Sequence, residues 1–275
     1  MSNVVATNVM SLNAQRNLNT NSMGLSTAME RLSSGLRVNS AKDDAAGLAV
    51  AERMNAQARG MNVAIRNASD AVSMVRTADG GLQQVTDTLQ RMRELAVQAA
   101  NGTYEDADRE LLDEEYQELA LEINRIIDVT KFNNISVLSA DADIDFQVGA
   151  NAETEDRIEV SFLDVKGLTG VSDVTSGNIA DFAGADSAIG DIDDALDSVN
   201  KQRASFGAAM NRFEATITNL RNASENQTAA MSRIMDADFA AETAALTKGQ
   251  VLQQAGIAML AQANQAPQAV LGLLR

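Results

Sequence analysis

The chain has 275 residues and contains no Cys, His or Trp, so thiol and imidazole nucleophiles, a Ser-His-Asp triad and nearly every zinc or haem ligand set are excluded, which argues against an enzyme. Its apolar content, 45%, is carried by Ala, Leu, Val, Ile and Met, with only 3% aromatic residues, a mix suited to helices packed through small, flexible side chains. The net charge of −16 is concentrated in residues 104–198, where 25 acidic residues face 5 basic ones, so the middle is expected to face water while the nearly neutral ends are free to pack; no basic stripe for nucleic acid is present.

The first 22 residues hold six Asn and no sustained apolar core, so they do not read as a secretory signal peptide. A thin apolar stripe follows at Leu18, Leu25, Met29, Leu32 and Leu36. Ser40, three residues before Asp43, is read as the cap of the first long helix. That helix carries heptads at Met54, Ala58, Met61, Ile65, Ala68, Val72 and Val75, then at Leu82, Val85, Leu89, Met92, Ala96 and Ala99. A spacing of 3.5 residues is the signature of helices wound along a left-handed seam. Asp79-Gly80-Gly81 is expected to interrupt or weaken the helix, since each glycine costs about 1 kcal/mol against Ala. Asn101-Gly102 reads as its stop, and Thr103 as the cap of the next helix, whose stripe is Leu112, Tyr116, Leu119, Ile123 and Ile126.

The period then changes. Residues 144–148 and 157–162 alternate apolar and polar, as two strands joined by an acidic turn do. Residues 164–186, rich in Gly, Ser, Thr and Asp, read as loops with room for one more hairpin. Heptads resume from Ile189 to Ile234, interrupted only by Arg203, Ser224 and Gln227. A helix of that span is a rod of roughly 70 Å that must pack lengthwise on its neighbours. The tail carries a second thin stripe at Leu252, Ala255, Met259, Ala263, Ala266 and Val270, with Pro267 disturbing the last turn. Neither terminal stripe has a partner nearby in sequence, so the two ends are expected to pair. No apolar run reaches the length of about 18 residues that membrane insertion needs. The fold expected is mainly α: an elongated antiparallel helical bundle or coiled coil with a small β-hairpin region at its tip and paired termini.

Several long strings resemble bacterial flagellins. At the start these are Thr7-Asn8-Val9, Ser11-Leu12-Asn13-Ala14-Gln15-Arg16-Asn17-Leu18 and the run from Arg31 to Ala49. Further on come Leu89 to Gln98, Asn211-Arg212-Phe213-Glu214, Ser232-Arg233-Ile234, Leu246-Thr247-Lys248, and Gln253 through Gln265. The resemblance spans about residues 3–140 and 188–275, in order, and motifs this long are specific. Family members commonly have Asn-Gly after Phe where this chain has Phe132-Asn133-Asn134; Asn replaces Gly best at positive φ, so the turn is expected to survive.

The resemblance implies a structural subunit with no catalytic site and no cofactor, which polymerises into the extracellular flagellar filament for swimming. Residues 1–42 and 243–275 would form an inner coiled-coil domain, with assembly stripes at Leu18, Leu25, Met29, Leu32, Leu36, Leu252, Ala255, Met259 and Ala263. Residues 43–242 would form a rod with a β region at about 141–186, without outer variable domains. Export through the flagellar secretion apparatus, without a cleaved signal peptide, is implied, as are an export chaperone, cap and hook-junction proteins as partners. Gln90, Arg91, Leu95 and Glu115 match positions through which the vertebrate Toll-like receptor recognises many flagellins.

Blander accounts compete. Asp87, Arg91, Glu94 and Gln98 form an ordinary solvated helix row, with Asp87 and Arg91 an i,i+4 pair contributing about 0.2–0.5 kcal/mol. Asp191, Asp193, Asp194 and Asp197 lack the spaced loop of a calcium site and read as an acidic helix start. Ser172, Thr175 and Ser176 read as an unmodified polar loop, with sugar attachment the alternative. Met54, Met61 and Met92 are heptad core whose soft side chains would let one interface slide between packings. The nearest rival function is a hook–filament junction protein. A chemoreceptor-like signalling coiled coil lacks this asymmetric charge profile, and a carboxylate glycosidase would need the aromatic pocket walls that this composition withholds.

Overall fold

The computed structural model describes residues 7–168 and 170–272, with side chains described as far as Gln265. Among these residues there are six α-helices: α1 (Val9–Ser34), α2 (Ala45–Ala99), α3 (Asp106–Val129), α4 (Val171–Ser176), α5 (Phe182–Met235) and α6 (Phe239–Gly272). Two antiparallel hairpins lie between α3 and α4: β1 (Lys131–Phe132) with β2 (Ile135–Ser136), and β3 (Ala142–Gln147) with β4 (Arg157–Phe162). The mainly helical fold read from the heptads is the fold observed. Two compact units divide the chain, one from residues 57–225 and the other from residues 1–56 and 226–275.

The 57–225 unit holds the larger core. Leu82, Val85, Leu89, Met92, Ala96 and Ala99 are all buried, as their spacing predicts. A second row on the same helix, Ala71, Met74, Ala78 and Leu95, is buried too. α2 therefore meets neighbours over a broad face, wider than a two-position seam. α3 contributes Tyr116, Ile123 and Ile127, and α5 contributes Ile192, Val199, Phe206 and Phe213. Four phenylalanines gather where the second hairpin meets α5: Phe162 lies 5.3 Å from Phe206, and Phe146 meets Phe213 edge-on at 5.6 Å. Strand β4 alternates exposed and buried residues along its whole length, so Ile158, Val160 and Phe162 close the core.

Several local expectations need correction. Asp79-Gly80-Gly81 does not break α2, which runs unbroken from Ala45 to Ala99. A Cβ on Gly81 would stand 2.7 Å from Leu138 Cδ1, so this glycine admits the following hairpin segment rather than ending the helix. Asp79 pairs with Arg203 at 2.9 Å, which accounts for a charge on the α5 stripe. α2 is capped by Asp44, whose carboxylate accepts the Gly47 N–H at 2.8 Å, and not by Ser40. Likewise the start of α3 is fixed by Glu105, whose N–H donates to Asp108, while Thr103 donates its own N–H to Asn101 in the preceding turn. Among the described residues of 164–186, a short 3-10 turn (Val165–Gly167), the helix α4 and the first turn of α5 are joined by loops, and no further hairpin forms. The Asn133-Asn134 turn holds: both residues adopt positive φ, 46° and 67°, the pair a tight two-residue hairpin requires.

Candidate self-assembly surface

The unit formed by the chain ends is organised around α1 and α6. Asn8 begins α1 by accepting the Ser11 N–H at 3.1 Å, and it donates from its amide to the Ala263 carbonyl at 2.7 Å. Asn21 donates to the Gly249 carbonyl at 2.8 Å, and Arg31 pairs with Glu242 at 3.0 Å. Residues rising along α1 thus meet residues falling along α6, which makes the pair antiparallel. Asn8 and Asn21 are the polar fasteners of the pair, each donating to a backbone carbonyl of the facing helix.

Apolar packing follows the same register. Leu25 sits over Gly249 and Leu18 over Gly256, close enough that a Cβ on either glycine would lie 3.1 and 3.0 Å from the leucine methyl group. Two leucines seven residues apart enter two glycine hollows seven residues apart, a knobs-into-holes contact. Beyond α1, Leu36 bridges to Asp236, and Val38 is buried.

The predicted stripes fall unevenly on this geometry. On α1, Leu25 is buried, Leu18 and Leu32 are half-buried and Met29 is exposed, and Leu36, just past the helix, is half-buried. On α6 the side turned to α1 runs through Gly249, Gln253, Gly256, Leu260 and Ala263. Among the described residues of the stripe read from sequence only Ala263 is buried; Leu252 is 49% exposed, Met259 is 66% exposed, and Ala255 is exposed with them. The α1-facing side was missed because its small and polar residues carry no hydropathy signal. Its legible trace is the spacing of Gly249 and Gly256. Ala266 and Val270 lie outside the described side chains, and the α6 backbone continues through Pro267 to Gly272. Val9, Met10, Met23, Val251 and Ile257 are also exposed, so the unit carries an apolar outer surface on both helices. Beside the contact, Met10, Leu18, Leu252 and Met259 line an open groove of about 470 Å³.

The second predicted cluster lies on the 57–225 unit. Gln90, Arg91 and Glu115 are exposed. Arg91 donates to Glu115 at 2.8 Å and to Glu94 at 2.9 Å, and these hydrogen bonds, Glu115 first, hold its guanidinium protonated beyond the usual Arg range. The expected pairing of Asp87 with Arg91 is replaced: Asp87 accepts from Gln83 at 2.8 Å, and Arg91 reaches across to α3. Leu95 is 1% exposed and belongs to the core beneath this row. In the acidic cluster, Asp193 pairs with Arg93 at 2.8 Å, and that hydrogen bond lowers its pKa. Burial, then Asp173 and Asp194, raises that of Asp191. Among the described residues no group of acidic side chains is placed to hold a metal. Ser172, Thr175 and Ser176 sit on α4, where the Thr175 and Ser176 hydroxyls donate to the Ser172 carbonyl, so they are helical rather than in a loop. Met92 is buried, and Met54 and Met61 are half-buried.

Long helices with small residues at their contacts and an apolar outer face define a structural coiled-coil protein, built to pack against further helices. Residues 5–143 match the bacterial flagellin N-terminal helical region, and residues 189–274 match the bacterial flagellin C-terminal helical region. The chain is 46% identical over 273 residues to a flagellin of Halalkalibacterium halodurans, covering 99% of this chain and 100% of that one. It is 42% identical to the flagellar filament 33 kDa core protein of Treponema phagedenis, again over 99% of this chain and 100% of the other. The crystal structure of Bacillus cereus flagellin superposes with a TM-score of 0.51 at 37% identity, covering 56% of this chain and 88% of that one. The chain belongs to the bacterial flagellin family.

Proposed function

We propose that this chain is the structural subunit of a flagellar filament: it polymerises through the outer surface of α1 and α6 into an extracellular filament that drives swimming. The observation that carries this reading is the surface itself. α1 and α6 are joined by polar fasteners and glycine hollows, while Leu252, Met259 and Met10 remain exposed beside a groove. An apolar area of this kind marks an interaction site, and a homopolymer supplies its occupant. End-to-end likeness to proteins named flagellin and filament core protein favours the filament subunit over a hook–filament junction protein. In this reading residues 1–42 and 243–275 form the inner layer, and residues 43–242 the layer outside it, with the acidic middle toward water. Export through the flagellar secretion apparatus, an export chaperone and a cap complex complete the proposal. Sedimentation and negative-stain imaging of the full chain beside a version trimmed to residues 43–242 test it. Long filaments are expected from the full chain alone; filaments from both, or a full chain that stays monomeric under seeding, would refute it.

A second reading rests on Arg91. Arg91 is held by one ion pair to Glu115 on α3 and one to Glu94 on its own helix, beside exposed Gln90 and with Leu95 buried in the core. A preordered guanidinium of this kind suits recognition by the vertebrate Toll-like receptor. Arg91→Ala is expected to abolish signalling by monomer, and full signalling by that variant would reject the reading.

A further inference from the structure

The methionines are sorted by place. Of the 12 in the chain, Met10, Met23, Met29 and Met259 are the exposed ones among the described residues, and all four belong to α1 or α6. Met10, Met23 and Met259 are 67%, 65% and 66% exposed. Met74 and Met92, in the core of the other unit, are 3% and 0% exposed. Met10 and Met259 face the same groove from opposite helices. The side chains best placed to meet a dissolved oxidant are therefore those on the surface that assembly would cover.

We propose that these four thioethers form a peroxide-sensitive modification site that makes the unassembled subunit assembly-incompetent; the proposal rests on the filament reading above. A peroxide transfers one oxygen atom to the Met Sδ. The O–O bond breaks, an S=O bond forms, the sulfur is oxidised by two electrons, and the peroxide leaves as water. The product replaces a flexible apolar side chain with a polar, chiral one. Burying such a sulfoxide without a hydrogen-bond partner opposes association. The groove is lined mostly by apolar side chains, with Asn13, Asn17 and Asn21 its polar ones, and of these Asn21 already donates to the Gly249 carbonyl. Once copies cover these residues the oxidant loses access, so the filament is protected and the monomer is not. Oxidation is reversible by methionine sulfoxide reductases, which makes the site a switch.

The test treats full-length monomer with hydrogen peroxide, maps the oxidised peptides by mass spectrometry, and measures seeded polymerisation before and after. Oxygen is expected at Met10, Met23, Met29 and Met259 well before Met74 and Met92. The concentration needed for polymerisation is expected to rise roughly tenfold or more, with recovery after reductase treatment. A variant carrying Met10→Leu, Met23→Leu, Met29→Leu and Met259→Leu is compared with its own untreated sample, and peroxide is expected to leave its polymerisation concentration unchanged, whatever that concentration is. Oxidation spread evenly over buried and exposed methionines overturns the site. Unchanged polymerisation of the oxidised chain, or loss of polymerisation by the four-leucine variant only after peroxide, overturns the switch. An untreated chain that does not polymerise overturns the filament reading and the switch with it, while the peptide map still decides the site on its own.

Discussion

Asp43 shows how one carboxylate can hold a connection. The Ser40 hydroxyl, the Ser40 N–H and the Asn39 N–H all donate to the same oxygen, at 3.0, 2.9 and 3.2 Å. The hydroxyl bond, then the two backbone bonds, lower its pKa below the ordinary 3.8. A depressed folded-state pKa means that the ionised carboxylate favours the fold. Its contribution is complete above the unfolded value and is lost as pH falls through the folded one. An NMR titration of the full chain should therefore show the Ser40 amide shift changing with a midpoint below 3.8, and not at all in Asp43→Asn. A midpoint at or above 3.8 would mean that the turn is not held by this charge. The pairing of Ser40 with Asp43 was visible in sequence, but its role was not. Asp43 and Asp44 stand together, and only the backbone path decides that Asp43 closes the turn while Asp44 caps α2.

Among the elements, α2 separates two uses of glycine that look identical in sequence. A Cβ on Gly80 would meet nothing within 4 Å, whereas one on Gly81 would strike Leu138 and Thr130. Gly80→Ala should stabilise the chain by about 0.5–1 kcal/mol, since it only removes backbone freedom from the unfolded state. Gly81→Ala should destabilise it by about 1–3 kcal/mol through overpacking. Denaturant melts of the two variants read the difference, and equal effects would contradict the assignment of Gly81 as a contact. The heptads of α2, α3 and α5 were legible because Leu, Val, Ile and Phe mark their buried side. α4 was not, because Gly, Ser and Thr around it carry loop propensity that packing of Val171 and Val174 overrides. On α6 the hydropathy pattern marked the outer face instead of the α1-facing one, since the latter is built from Gly249, Gln253 and Gly256. The cross-helix pairing of Arg91 with Glu115 had no local signal at all, for the two are 24 residues apart.

For the whole molecule, charge and apolar surface divide the labour. The acidic excess lies in residues 104–198, while the exposed large apolar residues of α1 and α6 lie in chain ends of nearly balanced charge. Like charges resist close approach, so the ends are the part of the chain free to associate. The α6 stripe read from sequence keeps a meaning in this arrangement: left outside the α1 contact, it is available to another copy. The most direct measurement is seeded polymerisation of the full chain carrying Leu252→Asp and Met259→Asp, beside the unaltered chain. Both positions lie off the α1-facing side, so helicity by circular dichroism should be kept while filament formation is lost. Filaments of normal length at the normal protein concentration from the double variant would contradict the claim that copies meet through this face.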